Sequence, residues 1–338
     1  MNEPNPSFEG YFPVPDWARH SRAWMAWPTD PTEMPDGLLE SRVAFAHIAR
    51  AVSRFEPVRM IVPGADARET ALTLGRKIEL LEHDVAHGWI RDLAPTFLTS
   101  EPGRIKAVAW KFNGWGGRHI VHEEDHGFAE DLVRLMQLPY YRGPIVLEGG
   151  AVQTDGLGTA IVSEQTLMSP NRNPLVGRRD VEEILMRFFG IVKVIWLGEG
   201  ISGLVGGGGH VGRFCRFVRP GTVAIHSPSD PEHPDFLPMQ DNLNRLRKAT
   251  DPFDRPVEVI EIPVPETIKP ASLSYLGFYL ANGGLLVPRF DDPVDNDAFA
   301  AIAELFPDRQ AVAVDGTVVG GALHHMILGE PAGEPMPA

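Results

Sequence analysis

Residues 159–197 contain Thr159-Ala-Ile-Val-Ser163, then Arg178-Arg-Asp-Val-Glu-Glu-Ile-Leu-Met-Arg-Phe-Phe189, then Val192-Lys-Val-Ile-Trp-Leu197. The outer two runs are short and rich in Val and Ile, as buried strands are. The middle run repeats its apolar residues at helical spacing. Between the first and second lies Ser169-Pro-Asn-Arg-Asn-Pro174, a turn-rich loop leading into the helix. A strand, a helix and a second strand in this order form a βαβ unit, and that assigns the chain to the α/β class. The same alternation extends both ways. Further strands are predicted at Val58–Val62, Ala107–Lys111, Ile145–Leu147, Thr222–His226, Val257–Ile262, Gly284–Pro288 and Gln310–Val314. Helices are predicted at Leu38–Phe55, Asp66–Glu82, Gly127–Met136, Met239–Thr250 and Asp295–Leu305. Units of roughly 50–70 residues follow one another without a linker. One domain over residues 1–330 is therefore expected, with residues 331–338 as a flexible tail.

Composition narrows the function. The chain has 338 residues, 43% of them hydrophobic and 22% charged, ample for a sizeable core. A net charge of −14 disfavours nucleic acid and anionic membranes and favours small cationic ligands. The only cysteine, Cys215, permits neither an internal disulfide nor a cysteine-based zinc site. Met1–Gly10 has no apolar segment of the secretory kind, and no apolar run reaches membrane-spanning length, so a cytoplasmic protein is expected.

Four glycine-flanked polar clusters stand out: Trp89-Ile-Arg-Asp92, Leu147-Glu-Gly-Gly150, Gly206-Gly-Gly-Gly-His210-Val-Gly212 and Gly320-Gly-Ala-Leu-His324-His325. Glycine beside a strand end lets a backbone or ligand approach closely. Asp92 or Glu148 placed there would accept paired N–H donors from a planar cation; the alternative is a solvated acid in a turn. His210 suits proton transfer or, equally, a structural turn. If His324 and His325 close an apolar strand, only one of them points into a cleft. Trp24, Trp27, Trp89, Trp110 and Trp115 offer faces for a guanidinium, though most are expected in the core.

Taken together, these segments resemble the agmatine deiminase family of the pentein superfamily, which also holds the bacterial-type peptidylarginine deiminases. The resemblance runs in order through Trp17–Pro28, Trp89–Pro95, Trp110–Gly117, Leu147–Gly150, Ser169–Pro174, Gly209–Gly221, Phe278–Phe290 and Val319–Met326. It implies a five-bladed α/β propeller of pseudo-repeated ββαβ units with the active site in the central channel. It also implies a small guanidino or amidino substrate and a homodimer; no cofactor is expected, and the acidic charge argues against a nucleic acid or membrane partner. In the family a cysteine near the C-terminus attacks the guanidinium carbon, a histidine of a His-Val-Asp motif moves protons, and three carboxylates bind the guanidinium nitrogens. Asp92, Glu148 and His210 match that set. Gly212 stands where the family has the Asp of His-Val-Asp, and Ala322 where it has asparagine. His325 stands at the cysteine and His324 just before it, and His87-Gly88 replaces an acidic residue. Cys215 lies at odd spacing from His210 in a strand-like stretch and reads as a buried structural thiol.

The expected function is a diverged hydrolase cleaving a C–N bond without cysteine. His210, His325, Asp92 and Glu148 are its expected catalytic residues, and Trp89, Asp92, Glu148, Trp115 and His324 its expected substrate contacts. Two alternatives stay open. One is an inactive pentein that binds a small cation or a protein; the other is a metal-dependent enzyme using His87, His210, His324 and His325 with the two acids.

Overall fold

The computed structural model describes residues 4–31, 37–101, 103–119, 121, 123–202, 209–266 and 273–333. The segment 159–197 folds as its sequence requires. Thr159–Ser163 and Lys193–Leu197 pair in parallel, Thr159 opposite Lys193, and the helix Arg178–Phe189 crosses between them. The helix buries Val181, Leu185, Phe188 and Phe189 against Ala160 and Val162 of the sheet. An antiparallel strand, Val152–Thr154, completes a ββαβ blade.

That blade is repeated. Thr96–Ser100, Arg104–Lys111, the helix Phe128–Leu135 and Tyr140–Val146 form one, with Phe12–Pro13 added at its edge. Cys215–Arg219, Thr222–His226, the helix Phe236–Leu246 and Glu258–Ile262 form another. Tyr279–Ala281, Gly284–Arg289, the helix Asp295–Leu305 and Gln310–Asp315 form a fourth. The last is assembled from both ends of the chain. Leu328–Pro331 pairs antiparallel with His20–Ala26, the helix Leu38–Val52 crosses over, and Val58–Val62 returns in parallel. These are the five sheets of the expected propeller.

Three expectations change. The helix anticipated over Asp66–Glu82 stops at Leu74, because Gly75 adopts φ +81° and breaks the helical path. Glu79–Glu82 then becomes a fourth strand beside Val58–Val62. Pro331, placed in the tail, ends the strand that closes the ring; residues 334–338 of that tail lie outside the described residues. His324 and His325 sit in a single helical turn, Leu323–Met326, rather than in a strand, and both are buried. No helix among the described residues is long and apolar enough to cross a membrane.

Candidate active site

Each blade is entered through one short helical turn. These are Ile90–Leu93, Gly149–Ala151, Val211–Arg213, Tyr275–Gly277 and Leu323–Met326, and neighbouring turns touch one another. The four polar clusters are four of these five equivalent positions, so residues far apart in sequence meet at the centre. Glycine is required where two turns press together. A Cβ on Gly150 would lie 2.1 Å from His325 Cε1, so any other residue there would displace the imidazole.

At the centre, His325 Nδ1 lies 3.2 and 3.3 Å from the two oxygens of Asp92. An ionised carboxylate can only accept, so Nδ1 carries the proton and the lone pair resides on Nε2. That Nε2 is buried with no hydrogen-bond partner among the described residues. Asp92 also accepts from Trp115 Nε1 (3.0 Å) and from the Gly150 backbone N–H (3.1 Å). Trp115 reaches it from a left-handed backbone, φ 54°, between two glycines also at positive φ. Such strain costs about 1–3 kcal/mol and persists where the surroundings enforce it. Burial alone would raise the Asp92 carboxyl, but His210, His325 and Trp115 outweigh it and hold the group well below the usual carboxylate range. Burial acts the other way on His325. It lowers the imidazole to about 4 despite the opposing pull of Asp92, so the ring is neutral at physiological pH.

His210 stacks on His325, rings 5.3 Å apart and 11° from parallel. Its Nδ1 is 3.6 Å from Asp92 and its Nε2 3.6 Å from Glu148, both beyond hydrogen-bond reach. Glu148 is fully buried and takes Arg172 Nε on both oxygens, at 2.8 and 3.1 Å. Burial would raise its carboxyl, but His210 and Arg172 together hold it below its ordinary value. The described donors able to share one cation are Asp92, His210 and His325, whose ligand atoms lie within 4.8 Å of one another.

A second layer supports this centre. Arg91 Nε donates to the carbonyls of His324 and Ile327, pinning the turn that carries His325. Asp16 accepts from Arg91 (3.3 Å) and Arg216 (2.7 Å) and faces His324 Nδ1 at 3.7 Å. His324 Nε2 lies 3.2 Å from the amide nitrogen of Gln153. Burial, followed by the nearby Arg91 and Arg216, holds the His324 imidazole well below its ordinary value and therefore neutral. Arg213 is buried on the turn after His210 and donates to the Gly320 carbonyl (2.9 Å). Burial lowers its guanidinium to about 10, against the pull of Asp92, so it stays charged. A cavity of about 100 Å³ adjoins the site and is lined in part by Asp16, Arg91, Thr96, Glu148, Gln153 and Thr154.

Of the residues singled out from sequence, Asp92, Glu148, His210, His325 and Trp115 come together. His324 turns to Gln153 and Asp16. His87 lies 3.2 Å from Asp125, and its ring meets the Trp115 edge. Trp89 is partly buried, with its ring against Phe45. Of the four glycines before His210, only Gly209 is among the described residues. Sequence reading missed Arg172, Arg213, Gln153 and Asp16 as site residues. Arg172 carried a signal, being a charged residue inside a segment of turn formers, whereas Arg213 opens the strand-like stretch of Cys215. Gln153 and Asp16 carried none. Cys215 is fully buried among Ile161, Leu197, Phe214 and Val223, and burial pushes its thiol far up.

Five ββαβ blades around a buried Asp–His–Glu centre define a pentein fold. The model of the Porphyromonas-type peptidyl-arginine deiminase family matches residues 12–331, and the chain belongs to that family. A Streptomyces coelicolor protein, provisionally named an agmatine deiminase, is 38% identical over 94% of this chain and 98% of its own. The agmatine deiminase of Stutzerimonas stutzeri is 32% identical, covering 97% of each chain. Among solved structures, agmatine deiminase of Enterococcus faecalis superposes with a TM-score of 0.93 at 28% identity, over 98% of both chains.

Proposed function

We propose that this protein hydrolyses a C–N bond of a small guanidino compound, with water as the nucleophile and His325 as its base. The observation that carries this reading is the His325–Asp92 pair: Nδ1 held by the carboxylate at 3.2 Å, Nε2 buried and unpartnered. Kept neutral, Nε2 takes a proton from water, and the oxygen attacks the guanidinium carbon. Asp92 and Glu148 accept substrate N–H groups. His210, stacked on His325 and facing both acids, delivers the proton to the departing nitrogen, giving ammonia and a ureido product. The agmatine deiminase relatives support the substrate class. Ammonia release is to be measured with agmatine, arginine and simple amidines. Turnover should fall by about 10²–10⁴ in His325→Ala. No release from any of these compounds would defeat the proposal. Cys215→Ala should leave turnover unchanged while costing about 1 kcal/mol for the lost buried volume. An activity loss in that variant would return the thiol to the mechanism.

A second reading is favoured by one observation. Both nitrogens of His210 are buried without hydrogen bonds among the described residues, beside the Asp92–His325 pair. Asp92, His210 and His325 would hold a zinc-class cation, which would supply an activated hydroxide. The near-parallel rings place a shared point out of the plane of both imidazoles, and this keeps the metal reading second. Elemental analysis of the purified protein, followed by chelation and re-addition of zinc or manganese, decides between them. A stoichiometric metal that His325→Ala abolishes would put this reading first.

A further inference from the structure

Hydrogen-bond polarity around the centre points to a different group from a bare guanidinium. A guanidinium presents only N–H donors at its edge and so needs an acceptor on every side. Asp92 already receives three donors, and Glu148 has Arg172 across both oxygens. The third side is the turn at Gly212, and the polar atoms nearest it offer no free acceptor. A Cβ built on Gly212 would lie 3.1 Å from His324 Nε2 and 3.2 Å from Gln153 Nε2. Their polarity follows from Gln153. An amide nitrogen can only donate, so across the 3.2 Å contact His324 Nε2 is the acceptor and its ring proton sits on Nδ1, the side nearer Asp16. Gln153 thus turns its NH₂ toward this side, and one N–H remains beyond the bond to His324. The charges agree. Asp92 and Glu148 are countered by two buried guanidinium groups, Arg172 and Arg213, so a further full cation would enter without net compensation.

We infer that this site takes a ureido group, R–NH–CO–NH₂, in which oxygen replaces one nitrogen of the guanidine and no charge is carried. The carbonyl oxygen accepts from Gln153, and the NH and NH₂ donate to Asp92 and Glu148. This rests on the hydrolytic reading above and extends it to a second activity. His325 takes a proton from water, the oxygen bonds to the ureido carbon, and the C–NH₂ bond breaks as that nitrogen gains the proton. Ammonia leaves with a carbamate, which releases CO₂ to give the amine.

The test is a matched pair, agmatine and its ureido counterpart, each followed by ammonia release and by calorimetric titration of the intact protein. The ureido compound should be preferred by roughly 10- to 100-fold, the ratio set by one mispaired buried polar group. Gln153→Glu replaces the donor with an acceptor and should invert the preference. Gly212→Asp adds an acceptor at the same place and gives an independent check if the first variant folds poorly. Ureido binding preferred without turnover of either compound would uphold this inference while removing hydrolysis. Turnover of agmatine with no binding of the ureido compound would overturn the inference and leave hydrolysis standing. Binding of neither would overturn both.

Discussion

Asp92→Asn is expected to reduce ammonia release by about 10⁴, the scale on which an Asp-to-Asn exchange beside a catalytic imidazole acts in hydrolase triads. The reason is the tautomer. A carboxylate fixes the proton on His325 Nδ1 and leaves Nε2 basic; an amide can donate to Nδ1 and drive the proton to Nε2. Trp115 Nε1 bonds one Asp92 oxygen at 3.0 Å and the Gly150 N–H bonds the other at 3.1 Å. The amide keeps one of these acceptors and turns its NH₂ on the second donor, a cost of about 1–3 kcal/mol that a typical margin of about 5–15 kcal/mol tolerates. Thermal melts would verify that, and the double variant with His325→Ala should be no slower than either single one, because the two residues act as a unit. Activity within about tenfold of the parent would remove the Asp92–His325 pair from the mechanism.

Acidification should unfold this protein well before its carboxylates titrate. His325 is lowered to about 4 and His226 to about 3, each chiefly by burial, and His324 lies well below its ordinary value for the same reason. In the unfolded chain all three recover a value of about 6.5. Between that value and about 4 the unfolded state binds protons at His325 and His226 that the folded state refuses, and His324 acts in the same direction, so stability falls as pH falls. Each proton is worth about 1.4 kcal/mol per pH unit, and His325 with His226 gives a slope of about 3. Against a typical total of about 5–15 kcal/mol, two pH units or less exhaust much of the margin. Asp92 and Glu148, whose carboxyls are lowered, add their own loss only below the ordinary carboxylate range. Urea titrations from pH 7 to 4.5 measure the slope directly. A flat profile would contradict the buried neutral state of these rings. His226→Leu should cut proton uptake by one, since neither His226 nitrogen has a hydrogen-bond partner among the described residues.

The blades were legible because strand and helix obey different apolar periods, and segment 159–197 contains both with little ambiguity. Asp66–Glu82 misled because its apolar spacing suits a helix throughout; only the positive φ at Gly75, a tertiary fact, divides it. The site was half legible. Asp92, Glu148, His210 and His325 carry glycine neighbours that mark close backbone approach. Gln153 and Asp16 do not, since a strand glutamine and an aspartate set between Pro15 and Trp17 look like surface residues until the fold surrounds them. The apolar Met326-Ile-Leu328 after the histidine pair suits a strand as readily as a turn. The equivalence of the five entry turns, which makes 323–326 helical, becomes visible only in three dimensions.

The pairing of Leu328–Pro331 with His20–Ala26 has a consequence for biogenesis. A ribosome makes residues 20–26 about 300 residues before residues 328–331. Until residues 328–331 emerge, the edge of strand 20–26 has nothing to bond with, and His325 and Asp92 cannot meet. Nascent chains would therefore carry an exposed strand edge while the four other blades are made, the condition under which chaperones are recruited and misassembly begins. Joining the two termini and reopening the chain between two intact blades would let the split sheet form early, and such a rearranged gene should yield more soluble protein.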